Sequence, residues 1–139
     1  MFTNILLSFD GSKHAQSAAR IAGELARKQE KSTLWLVVVE EEVTDMIQEP
    51  FSSQMISERT VAGQALIEKA AKIVGEGVDI KKQLLFGDPV EGIMNVAHTR
   101  GCDLIVMGTR GLSPLRGLLV GSKAQRVISQ ASCPVLVVK

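Results

Sequence analysis

The stretch Leu34-Trp35-Leu36-Val37-Val38-Val39 is apolar at every position. A strand with one wet face alternates apolar with polar residues, whereas a strand covered on both faces has no polar side to present. This run therefore predicts an interior strand of a parallel sheet with helices above and below it. Helical patterns flank it. Upstream, Ala15, Ala18, Ala19, Ala22, Leu25 and Ala26 recur at helical spacing, with Ser12 placed to cap the first free amides. Their small size implies close packing on the sheet. Downstream, Ile56, Gly63, Leu66, Ile67, Ala70, Ile73 and Val74 share a second helical face. That helix is expected to begin near Gln54, after an acidic, irregular excursion that opens at Glu40-Glu41-Glu42 and contains Pro50.

The same switching of period continues outward. Ile5–Phe9 predicts a short buried strand that breaks at Asp10-Gly11-Ser12. Val78, Ile80, Leu84 and Phe86, interrupted by Lys81-Lys82-Gln83, predict a third strand whose polar insertion suits a sheet edge. Asp88, Pro89 and Glu91 form a helix start, as cap, first helical residue and returning carboxylate, and Gly101 closes that helix. Asp103–Met107 is the fourth strand, and a glycine-rich loop covers 108 to 121. A last helix carries Ala124, Val127, Ile128 and Ala131, and Val135–Val138 is the fifth strand. Strict alternation of strand and helix with right-handed crossovers gives an α/β fold: five mostly parallel strands with helices on both faces, as one domain over residues 1–139.

Composition excludes several classes. With 139 residues, 45% hydrophobic and 22% charged, the chain can bury a core and is neither fibrous nor disordered. Sixteen basic and fifteen acidic side chains give a net charge of +1, so no global field draws nucleic acid or an anionic membrane, and neither is expected as a partner. Cys102 and Cys133 form no CxxC pair and lie beside apolar runs, which predicts buried free thiols. The start, MFTNILLSFDG, does not read as a signal peptide, and no run approaches the length of a membrane span. The expected location is cytoplasmic.

In an open parallel sheet, ligands bind beyond the carboxyl ends of the strands where the strand order reverses. Three segments end there: Ser8–Ser12, Val38–Glu40, and the loop from Gly108 to Ser122. The loop carries glycines at 108, 111, 117 and 121 and runs into a helix that opens with Ser122 and Lys123, with Arg110 and Arg116 inside it. Glycines let backbone amides approach an anion, and the free amides of a first helical turn point at it. Neither a P-loop nor GxGxxG is present. On glycine content alone, a phosphate cradle and a plain strand-to-helix linker both remain open.

The spacing Gly108-x2-Gly111-x9-Gly121-Ser122 resembles the G-2x-G-9x-G-(S/T) pattern of the ATP-binding branch of the universal stress protein family. Phe2–Ser12, Asp103–Gly108 and Cys133–Val138 resemble that family's opening strand and turn, its D-L-I-V-M-G-T-R-G segment and its closing C-P-V-L-V-V. The resemblance implies a Rossmann-like fold of the adenine nucleotide alpha hydrolase type, with strand order 3-2-1-4-5. It implies ATP across the carboxyl edge, with adenine against the backbone around Val38–Val39 and phosphates on Gly108, Gly111, Gly121 and Ser122. Ser8, Phe9, Met107, Arg110, Lys123 and Ala124 complete the implied nucleotide-binding set. Asp10 matches the acidic residue near the phosphates and would hold Mg²⁺ or Mn²⁺; a helix-capping role is the alternative for it. Lys123 departs from the small or apolar residue common after the motif, which leaves its role open. The family also implies a homodimer through Val135–Val138, a strand with an apolar edge.

No catalytic residue is expected. His14, in the first turn of the first helix, and His98, on the third, both read as exposed polar residues. A response-regulator receiver would need paired acids where this chain has Phe9-Asp10. The hydrolases of the related superfamily use an SGGxDS loop where this chain has Ser8-Phe9-Asp10-Gly11-Ser12, so at most slow ATP hydrolysis is expected. The functional expectation is an ATP-dependent switch or binding module, with the acidic segment 41–54 as a surface that a protein partner reads; the alternatives are a weak ATP hydrolase and a dimeric interaction module that binds no nucleotide.

Overall fold

The computed structural model describes residues 1–42, 46–110 and 120–139. Nine elements alternate along the chain: β1 (Asn4–Ser8), α1 (Lys13–Lys28), β2 (Thr33–Glu40), α2 (Phe51–Val74), β3 (Asp79–Phe86), α3 (Pro89–Thr99), β4 (Leu104–Gly108), α4 (Ser122–Gln130) and β5 (Val135–Val138). The strands form one parallel sheet in the order β3-β2-β1-β4-β5. This is the expected order, with β3 at an edge.

The apolar run in β2 is explained by the two layers it serves. Leu34, Leu36 and Val38 pack with Ile5, Leu7 and the alanine face of α1 in one core. Val37, with Trp35 and Val39 beside it, packs with Leu6, Ile105 and the residues of α3 and α4 in the other. Successive side chains of a strand point to opposite faces, so a strand buried twice needs apolar residues in both phases.

Helix starts follow the local signals. Ser12 Oγ accepts the Ala15 amide at 3.2 Å, and an Asp88 carboxylate oxygen accepts the Glu91 amide at 3.0 Å with Pro89 in the first turn. Gly101, at φ +60°, follows the end of α3 in the left-handed conformation that terminates helices.

Three expectations need correction. α2 begins at Phe51, not near Gln54. Its first turn is held by Glu49, whose carboxylate accepts the Ser52 and Ser53 hydroxyls, and by the Gln54 amide bonding back to the Pro50 carbonyl. Ile56 and Ile128 are exposed, at 46% and 48%. All buried residues of α2 lie at Gly63 or beyond. A 24-residue helix runs about 36 Å against about 26 Å for the eight-residue strand β2, so the sheet cannot cover its first turns. In the nine-residue α4 only Ala124 and Val127 are buried, and Ile128 sits about 100° around the helix from Val127, off that narrow contact. Finally, Cys102 is buried as expected but Cys133 is only half-buried. Burial pushes the Cys102 thiol up to about 12, with the neighbouring Cys133 and Asp103 adding to it.

The residue Gly23 lets α1 and α2 touch. A Cβ there would lie 2.6 Å from the Val74 carbonyl oxygen. Alanine would gain about 1 kcal/mol of helix propensity, but the clash is with backbone and cannot be relieved by a rotamer. Gly23→Ala is expected to cost about 1–3 kcal/mol net in urea unfolding; a stabilised variant would show that the helices separate freely.

The start of the sheet is tied by Asp103, whose carboxylate accepts the Thr3 amide (2.9 Å), the Thr3 hydroxyl (3.0 Å) and the Asn4 amide (3.1 Å). Burial alone would raise its pKa, but these hydrogen bonds outweigh it and hold the carboxyl below the ordinary value of 3.8. A depressed folded pKa contributes stability above the unfolded pKa that is lost as the pH falls through the folded value. Asp103→Asn is therefore expected to lower stability by about 1–3 kcal/mol at neutral pH and to flatten the decline below about pH 4, read from urea midpoints across pH.

Candidate functional site at the carboxyl edge

The strands β1 and β4 lie side by side, yet β1 runs on into α1 on one face of the sheet and β4 leads to α4 on the other. Chains that diverge to opposite faces leave a crevice between them at the carboxyl ends. A hollow occupies that position. Ser8, Phe9 and Asp10 reach it from β1, Val39 from β2, and Met107, Gly108, Thr109 and Arg110 from β4. Gly121, Ser122, Lys123 and Ala124 line it from the start of α4, and Pro89 and Ile93 of α3 and Ala15 of α1 complete the wall.

Of the residues singled out in the sequence, the structure brings together Ser8, Phe9, Asp10, Val39, Met107, Gly108, Arg110, Gly121, Ser122, Lys123 and Ala124. Val38 is not in the wall. Its side chain is buried in the core on the α1 and α2 side, because strand alternation turns it away from Val39. Gly111, Arg116 and Gly117 lie outside the described residues. Ala15, Pro89 and Ile93 were missed, because apolar or small residues in the first turns of helices read as packing; Thr109 lies inside the loop from Gly108 to Ser122 singled out in the sequence, but was not named as a contact.

Local backbone places each group. Gly11, at φ +85°, turns the chain after β1, and the Asp10 carboxylate accepts the Ser12 amide at 2.9 Å across that turn. Ser12, not Asp10, caps α1. Gly108 has no Cβ because one would lie 2.8 Å from His14 Cβ and 2.9 Å from the Ala15 nitrogen. The Gly121 amide donates to the Thr109 carbonyl at 2.6 Å, and the Thr109 amide donates to the Val138 carbonyl at 2.8 Å.

The electrostatics favour an anion. α1 and α3 have side-chain caps, but α4 has none, and its first turn faces the hollow through Ser122, Lys123 and Ala124. Uncapped amides carry the positive end of the helix dipole. Among the described lining residues Arg110 and Lys123 are cationic and Asp10 is the only carboxylate. The Arg110 Nε is buried and has no hydrogen-bond partner among the described residues.

A divalent ion held by protein alone needs more donors than this, and among the described residues there is no group of three His, Cys, Asp or Glu side chains that could bind one. One carboxylate plus phosphate oxygens is nevertheless the donor set that Mg²⁺ accepts. His14, expected to be exposed, is half-buried, and its Nδ1 lies 2.7 Å from Thr109 Oγ1. It is absent from the wall. His98 is exposed as expected.

The fold and the hollow define an open, doubly wound α/β protein with an anion-favouring crevice at its topological switch point. The model of the Universal stress protein family matches residues 1–139, and the chain belongs to that family. It is 39% identical over 145 residues to a universal stress protein of Thermus aquaticus, with all of both chains covered. Among solved structures, the universal stress protein UspA from Lactobacillus plantarum superposes with a TM-score of 0.85 at 25% identity, over 99% of this chain and 97% of that one. Two more distant structures share the fold at 23% identity. One is a universal stress protein in complex with cAMP, with a TM-score of 0.78 over 99% of this chain and 97% of that one. The other is the Archaeoglobus fulgidus universal stress protein in complex with dAMP, with a TM-score of 0.71 over 99% and 98%. No helix among the described residues is long and apolar enough to cross a membrane.

Proposed function

We propose that the protein is a cytoplasmic ATP-binding universal stress protein that acts as a nucleotide-dependent switch, with at most slow hydrolysis. The observation that carries this reading is the convergence, in one crevice, of the uncapped start of α4 with Arg110, Lys123 and the bare backbone of Gly108 and Gly121. Phosphates would meet the free amides of Ser122 and Lys123 at the start of α4, approaching over Gly121, whose own amide is held by Thr109, with Gly111 of the same motif as a further contact. Adenine would lie toward Val39, with the Val38 backbone beside it and Phe9, Met107 and Ile93 supplying the apolar wall. The cAMP and dAMP complexes of related folds support an adenine nucleotide as the class of ligand.

Asp10 would hold Mg²⁺ or Mn²⁺ against phosphate oxygens, and the ion, when bound, would neutralise repulsion between that carboxylate and the nucleotide. Lys123 extends from the second position of α4 and would add positive charge to the phosphate end. Among the described wall residues there is no His or Glu, and the one carboxylate, Asp10, would be committed to the ion, which favours holding the nucleotide over turning it over.

A second reading concerns assembly. β5 pairs with β4 and with no other strand among the described residues, and Leu136 is 37% exposed on it. An edge of this kind would pair with its counterpart in a second copy, giving a two-fold dimer. Light scattering at micromolar concentration tests it, and a monomer there would end the idea. For the nucleotide, the purified protein is denatured and any released ligand identified by chromatography, and ATP is then titrated with and without Mg²⁺. Binding without ADP formation over hours supports the switch; rapid ADP release would make the protein a hydrolase.

A further inference from the structure

We propose that His14 is a positioning residue for the hollow, which through Thr109 holds together the two ends of the glycine-rich loop. The consequence for ligand affinity rests on the reading of the hollow as a nucleotide site. Thr109 is the one buried polar residue among those described, 4% exposed. A buried hydroxyl costs free energy unless it is hydrogen-bonded. Its partner is His14 Nδ1 at 2.7 Å, and the imidazole tautomer decides which of the two donates.

The backbone of Thr109 is where the two ends of the loop meet. Its amide is bonded to Val138 of β5, and its carbonyl accepts the Gly121 amide at the start of α4. The next residue, Arg110, accepts the Ser12 hydroxyl at its carbonyl, at 3.4 Å. The first turn of α1 thus grips the point where the chain leaves β4, and Thr109 in turn grips the point where it joins α4. The missing Cβ of Gly108 lets α1 come close enough for this contact. His14 is absent from the wall, and its hydrogen bond to the wall is the one to Thr109.

The test follows amide hydrogen exchange at Gly121 in the nucleotide-free protein, together with ATP affinity, in four variants. His14→Ala and Thr109→Val are each expected to speed Gly121 exchange and to weaken ATP by about tenfold, the worth of one hydrogen bond. His14→Asn and Thr109→Ser keep a polar atom at the contact and should recover most of both. The double variant His14→Ala/Thr109→Val should be no worse than either single one. Unchanged Gly121 exchange in His14→Ala, or additive effects in the double variant, would overturn the proposal. Normal ATP affinity in His14→Ala alongside faster exchange would overturn its link to binding while leaving the ATP reading intact. Faster exchange in a protein whose wild type binds no ATP would remove the ATP reading and leave the clasp standing.

Discussion

Gly121→Val is expected to weaken ATP binding by at least about 100-fold, equivalent to about 2.7 kcal/mol, while leaving the sheet folded. Gly121 has an ordinary φ of −70°, so its backbone does not require glycine. What requires glycine is space: a Cβ would stand 3.3 Å from the Thr109 carbonyl oxygen and 3.5 Å from Arg110 Cα. One methyl group is tolerable with a shift of a few tenths of an ångström, so Gly121→Ala should lose far less. Valine adds two further carbons on a stiff χ1 between the Thr109 peptide and the first turn of α4. They would break the bond from the Gly121 amide to Thr109 and turn the free amides of α4 away from the crevice. Calorimetric titration read beside a circular dichroism melt checks this; valine and wild type binding alike would place the phosphates elsewhere.

The second large effect is on stability. Gly108→Ala is expected to cost about 3 kcal/mol, because the added carbon would meet His14 Cβ at 2.8 Å, the Ala15 nitrogen at 2.9 Å and the His14 carbonyl carbon at 2.9 Å. None of these is the end of a flexible side chain. Relief requires α1 to lift from β4, against an interface in which Ala15, Ala18, Ala19 and Ala22 are all buried. The urea midpoint should fall accordingly, and the contact between His14 and Thr109 should be lost with it. A variant of unchanged stability would mean that α1 does not rest on β4 as closely as these distances require. The contrast with Gly121 is physical: one glycine keeps a helix against the sheet, the other keeps a crevice open, though both belong to one motif.

Much of the candidate site and of the turns that frame it was legible because their signals are local. The Asp10-Gly11-Ser12 turn, the capping Ser12 and Asp88, and the glycine spacing that ends at Gly121-Ser122 each depend on residues close in sequence. Helices that overhang their support were not legible. Ile56 and Ile128 fit the apolar period, but whether an apolar residue is covered depends on where the neighbouring element stops.

The sequence by itself determined the alternation of five strands and four helices, the parallel sheet and the edge position of β3, because apolar period and turn chemistry act over a few residues. Family membership also follows from residues read in order. Only the tertiary structure decided that Val39 faces the crevice while Val38 faces the core, a choice of strand phase that an unbroken apolar run cannot express. It also decided that His14 turns inward to a buried Thr109. Those residues are 95 apart in the chain, and what joins them is the close seating of α1 on Gly108, which no local pattern encodes.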